Sequence, residues 1–189
     1  MDILSAFGLS ASAGLNAYIP LMVIALIAKF FPNLLHLAEP WDVMTSWWII
    51  GLLIVLSAVE FFADKVPAVN HINDIIQTVV RPVAGAIAFA ASADVLTEVH
   101  PVLSLAAGLL VAGGVHAVKA AAVRPAITAT TGGAGNVPVS ILEDVISTVL
   151  SILAVVIPVL VAVLAIVLTS LFVYWLYRRA ERRRERQQV

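Results

Sequence analysis

Apolar residues run along most of this chain, and charged positions fall largely between the runs. A helix rising 1.5 Å per residue needs about 20 mainly apolar residues to cross roughly 30 Å of hydrocarbon. Stretches free of Asp, Glu, Lys and Arg near or beyond that length lie at Ile3–Ala28, Val43–Val59, Val99–Val118 and Val145–Tyr177. A weaker run from about residue 70 to residue 93 is interrupted by Asp74 and Arg81. The last run is too long for one straight crossing: its 33 residues would measure about 50 Å as a helix. Pro158 can kink a helix or start a new one. Two crossings meeting near Pro158 are expected, with one kinked helix fed by a re-entrant segment as the alternative. The pattern predicts an all-α polytopic transmembrane bundle of about six spans, one of them re-entrant or broken in the alternative. Ile3–Ala28 lacks a basic leading region and a cleavage site, so it reads as a retained helix and not a signal peptide.

Polar positions inside the weaker run form a stripe. Asn70, Asp74, Gln77 and Arg81 stand at i, i+4, i+7 and i+11, one face of one helix. Sliding the chain against itself finds the same stripe at Ser140, Asp144, Ser147 and Ser151. Gly14-Leu15-Asn16-Ala17 likewise matches Gly114-Val115-His116-Ala117, and Lys65-Val66-Pro67 matches Asn136-Val137-Pro138. An internal repeat is expected, residues 5–93 and 99–177, in a single membrane domain of residues 1–177. A charge at the centre of a span costs roughly 2.5–3.5 kcal/mol, so such faces turn toward protein or water. Two readings stand side by side: groups that pair to hold the bundle, with Arg81 bonded to Asp74 or Asp144, and a polar pathway at the repeat interface. Gly14, Ala13 and Ala17, with Gly113, Gly114 and Ala117, supply small faces for close helix packing.

Composition removes the other classes. Hydrophobic residues make up 61 % and charged ones 12 %, with a mean hydropathy of +1.03. A soluble domain is about 25 % charged, so neither a soluble globule nor a disordered chain is compatible. With no Cys there is no disulfide framework and no thiolate site. The net charge of −1 conceals an uneven distribution: residues 178–189 hold six Arg against Glu181 and Glu185. Such a basic tail suits a cytoplasmic anchor at anionic lipid, not a nucleic-acid surface. Lys65, Lys119 and Arg124 read as cytoplasmic loop charges, and the loops holding Glu39, Asp42, Asp94 and Glu98 as external. Both termini are then cytoplasmic.

Three blocks carry a family resemblance: GLSASAGLNAYIPL from Gly8, EFFADKVPAVNHINDIIQTVVRP from Glu60, and RPAITATTGGAGNVPVSILEDV from Arg124. Together they resemble the bacterial membrane family known as domain of unknown function 4126. The resemblance implies a multi-pass protein of the bacterial inner membrane and supplies no activity.

Function must come from the residues. The expected site draws on Asn16, Asp64, Lys65, Asn70, Asp74, Gln77, Arg81, His116, Asn136, Glu143 and Asp144. Glu60 and Asp64 form an i, i+4 acidic pair that Lys65 relieves only partly. The stretch Thr128–Asn136 is either a plain turn or, through its backbone N–H groups, an anion site. His36, His71, His100 and His116 have no zinc spacing, and no nucleophile elbow or nucleotide loop occurs. No catalytic residue, metal or cofactor is expected. The expected function is a small transporter or channel for an ion or small polar solute, with a membrane scaffold as the alternative and a lipid-headgroup enzyme behind it. Expected partners are the lipid bilayer, the solute and a second copy in a homodimer, with no nucleic acid.

Overall fold

The computed structural model describes residues 3–65, 67–92 and 100–185 and, within them, every side chain except those of residues 67–72, 74, 162, 165, 176 and 180–185. The described chain is an all-α bundle: α1 (Ile3–Leu15), α2 (Tyr18–Phe30), α3 (Trp47–Ala63), α4 (Pro67–Ser92), α5 (Pro101–Val118), α6 (Arg124–Thr131), α7 (Asn136–Val156) and α8 (Pro158–Glu185). Segments at Ile75–Ser92, Pro101–Thr131, Asn136–Val156 and Pro158–Arg179 are long and apolar enough to cross a bilayer, while α1, α2 and α3 are apolar but shorter. Leu52, Val55, Leu103, Leu110, Val149 and Val159 stand exposed on the helix exteriors. In water that surface would be costly, and in lipid it is the natural exterior. The protein is a helical membrane bundle.

At its centre lies α1, packed against α4, α5, α7 and α8. Small side chains permit this: Ser5, Ala6, Gly8, Ser10, Ser12, Ala13 and Gly14 are all buried. A Cβ on Gly14 would sit 2.6 Å from the Ala112 carbonyl oxygen, and one on Gly108 2.6 Å from Phe89 Cβ. The α5 seam therefore runs through Gly108 and Ala112, and not through the expected Gly114 and Ala117. Gly114 has nothing within 4 Å of its Cβ position, and Ala117 is exposed. Hydroxyls strengthen the seams, since Ser12 Oγ lies 2.8 Å from Ser147 Oγ and 2.7 Å from Ser151 Oγ on α7. The serine stripe read from the repeat thus faces inward.

Three apolar runs are interrupted, each just before a proline. The first was expected as one span but divides into α1 and α2. Pro20 has no N–H, and its ring would clash with the carbonyl of Asn16 in a continuous helix. The run after Pro101 continues through a π-helical turn, Lys119–Val123, into α6 and ends at Gly132, whose φ of 62° closes the helix. Lys119 and Arg124 accordingly lie on this helix and not in a loop; Pro125 follows the π turn as Pro20 follows the first break. The last run parts at Ile157, with φ −138° and ψ 66°, directly before Pro158. A Cβ on Gly8 would come within 2.7 Å of Ala154 and 3.0 Å of Val161. Along one straight helix those two would be about 10 Å apart, so α7 and α8 are separate helices with a sharp bend between them.

Candidate functional site

The break between α1 and α2 is the starting point, because it leaves backbone groups in the bundle interior that have no helical partner. Asn16 Oδ1 accepts from the N–H groups of Tyr18 and Ile19, each at 3.1 Å, which caps the start of α2. Its Nδ2 donates to Asp144 Oδ1 at 3.0 Å. The Ala17 N–H points to the Glu60 carboxylate, 3.2 Å from Oε2 and 3.4 Å from Oε1. On the other side of the break, the Leu15 carbonyl accepts from Lys119 Nζ at 3.1 Å. An anion thus meets the positive end of one half-helix and a cation the negative end of the other.

An alternating chain of charges runs from one of these anchors to the other. Glu60 pairs with Arg81 at 2.9 Å, Arg81 lies 3.6 Å from Asp64, and Asp64 lies 3.4 Å from Arg124. Arg124 reaches Glu143 at 3.8 Å, and Glu143 pairs with Lys119 at 2.7 Å. Asp64 also accepts from Asn73 Nδ2 at 2.7 Å and from Ser140 Oγ at 3.3 Å. Beside this chain stands Lys65 with Asp144 at 3.0 Å. Four of the five basic residues before Arg178 are consumed in these pairs. Their charges balance those of Glu60, Asp64, Glu143 and Asp144, which is what a low-dielectric interior demands of buried ions.

Burial divides the cluster. The Arg81 side chain is 0 % exposed and that of Glu60 1 %, whereas Lys65 and Asp144 keep 14 % and 13 %. The helix break therefore sits at the dry end, and the Lys65–Asp144 pair lies at the rim together with Arg124, itself 13 % exposed. His116 lies within the dry part, with Nδ1 at 3.4 Å from Arg81 Nη1 and Nε2 at 3.3 Å from Thr78 Oγ1. An arginine N–H can only donate, so Nδ1 accepts and the ring proton belongs on Nε2. That is the neutral histidine bonded to a neighbouring helix.

Of the residues singled out from sequence, Asn16, Asp64, Lys65, Arg81, His116, Glu143 and Asp144 come together here. Gln77 is buried on the same face of α4, and its Oε1 has no hydrogen-bond partner among the described residues. The side chains of Asn70 and Asp74 lie outside the described residues. Asn136 does not join: it bonds Thr128 at 3.0 Å in the turn between α6 and α7. There Thr131 Oγ1 accepts from the Gly135 N–H at 3.0 Å, and Gly132 and Gly133 take positive φ. This geometry is that of a turn.

Of the two acids expected to hold Arg81, Asp144 needs correction, while the side chain of Asp74 lies outside the described residues. Glu60 and Asp64 hold it, while Asp144 belongs to Lys65 and Asn16. Lys65 does not relieve the Glu60–Asp64 pair, because the two arginines do. Sequence reasoning missed Lys119 and Arg124, taken for loop charges, and treated Glu60 only as half of an acidic pair. For the break a signal was available in Asn16, a capping residue four positions before Pro20. No curated protein and no solved structure matches the chain. Its sequence matches the family described as Domain of unknown function (DUF4126) over residues 3–179, and the protein belongs to that family.

Proposed function

We propose that the protein is a small transporter or channel for an ion or small polar solute, with a pathway through the charge chain around the helix break. The break between α1 and α2 carries this reading. Half-helix ends at a buried polar site are how many secondary transporters hold charged cargo and coupling ions inside the membrane. Groups with shared partners supply the means of exchange: Asp64 stands between Arg81 and Arg124, and Arg124 between Asp64 and Glu143. The Lys65–Asp144 rim is the entrance. The same reading places the protein in the bacterial inner membrane with both termini in the cytoplasm. It includes an ancestral duplication, and a homodimer that widens a path too narrow for one bundle.

Flux tests it. Wild-type protein in proteoliposomes should carry at least one member of a panel of ions and small solutes. Asp144→Asn should insert normally and lose that flux. Reporter fusions after Ala38 should lie outside, and fusions after Gly133 and at the C-terminus inside. Wild-type protein that moves nothing in the panel would sink the transport reading.

A scaffold is the second reading, favoured by the pairing of Glu60, Asp64, Lys65, Arg81, Lys119, Arg124, Glu143 and Asp144 with one another at 2.7 to 3.8 Å. In that case Asn serves at position 144 as well as Asp, and no flux accompanies either.

A further inference from the structure

The Glu60 carboxylate belongs to α3 but fills a cradle built by other elements. Ala17 N–H from the start of α2 and Arg81 Nε and Nη2 from α4 converge on it, at 3.2, 3.3 and 2.9 Å. Nothing in those donors is particular to a glutamate; any carboxylate satisfies them. Gln77 stands one turn before Arg81 on α4. Its residue is 2 % exposed, and Oε1 meets no donor among the described residues. Asn73, one turn before Gln77, reaches Asp64 at 2.7 Å, and Arg81 approaches the same carboxylate at 3.6 Å. Gln77 therefore lies between two side chains that converge on the Asp64 carboxylate, which stands one turn beyond Glu60 at the end of α3. A buried amide oxygen without a donor is uncommon in native structures and calls for a ligand that supplies one. Side chains one helical turn apart have Cβ atoms about 5–6 Å apart, the reach of a very small molecule.

We propose that this site binds a small carboxylate bearing a hydroxyl or ammonium group on the adjacent carbon, that is, a hydroxy acid or an amino acid. The ligand carboxylate takes the place of Glu60 at Ala17 and Arg81, and its second group donates to Gln77 Oε1. The proposal deepens the solute-site reading by naming the class of solute. In the wild type Glu60 competes for the same donors.

Purified Glu60→Ala protein in detergent is titrated with glycolate, glycine, acetate or sodium chloride at equal ionic strength, and its thermal unfolding midpoint is read. Glycolate or glycine should stabilise it saturably, with an apparent Kd at least fivefold tighter than that of acetate, while chloride does nothing specific. Wild-type protein should bind the same ligands saturably and in the same order, about tenfold more weakly, and a wild type that binds none of them overturns the proposal. Adding Gln77→Met should leave acetate binding in place and remove the advantage of glycolate and glycine. Glu60→Ser, which removes the carboxylate and leaves only a short polar side chain, takes the same titration with the same expected order if Glu60→Ala does not fold. Four ligands acting alike, or an advantage that survives Gln77→Met, overturns the proposal. Binding without flux overturns only transport, and flux without this binding overturns only the site.

Discussion

Glu60 and Lys119 hold the two loose ends of one broken helix. Glu60 accepts from the Ala17 N–H at 3.2 Å, and Lys119 Nζ donates to the Leu15 carbonyl at 3.1 Å. Each is paired in turn, Glu60 with Arg81 and Lys119 with Glu143. The backbone interruption and the charge chain are thus one structure. Without the break the two charges would lose their backbone partners, and without the charges the break would leave bare polar groups in an apolar interior.

Removing the centre of that structure should be severe. Arg81→Ala leaves Glu60 and Asp64 buried without their shared cation, at a cost of about 3–5 kcal/mol. Unfolding of the purified protein in mixed micelles should show it. Glu60→Gln combined with Arg81→Met should recover much of the loss, because the pair is coupled. Strictly additive losses would mean that the two side chains do not touch.

Asn16 acts first as a cap. Asn16→Ala should cost about 1 kcal/mol from the lost cap alone, with a further loss from the bond to Asp144. Asn16→Ser retains a capping oxygen and should fall between the wild type and Asn16→Ala in the same unfolding assay. Equal losses for Ser and Ala would place the role of Asn16 at Asp144 instead.

Two glycines on α5 should respond in opposite ways. Gly108→Leu drives a side chain into Gly85, Ala86 and Phe89 and should abolish stable expression. Gly114→Leu meets open space and should stay within about 0.5 kcal/mol of wild type. Comparable expression of the two variants would contradict the packing of α5 against α4.

The rim pair should be worth less than the buried pair. With Lys65 and Asp144 at 14 % and 13 % exposure, Lys65→Ala should cost roughly 1 kcal/mol, and the cost should shrink in high salt. A loss as large as that of Arg81→Ala would mean that the rim is as dry as the interior.

Sequence alone determined the solvent of this protein and its helices. Long apolar runs can satisfy their backbone in lipid only as helices, and polar faces at helical spacing, such as Ser140, Ser147 and Ser151, must turn inward. Periodicity also marked Arg81 as a residue in need of an acid. It did not say which acid, because an ion pair between helices depends on how those helices cross. Glu60 became its partner only through the packing of α3 beside α4 at the break. Lys119 and Arg124 show the same limit: a short stretch with two basic residues reads as a loop until the helix is seen to run through it as a π turn. Asn16 and Pro20 carried a local signal for the break in their capping and steric chemistry. Tertiary structure decided that the break faces charges of both signs, since long-range electrostatics depends on distances between helices that sequence spacing does not contain.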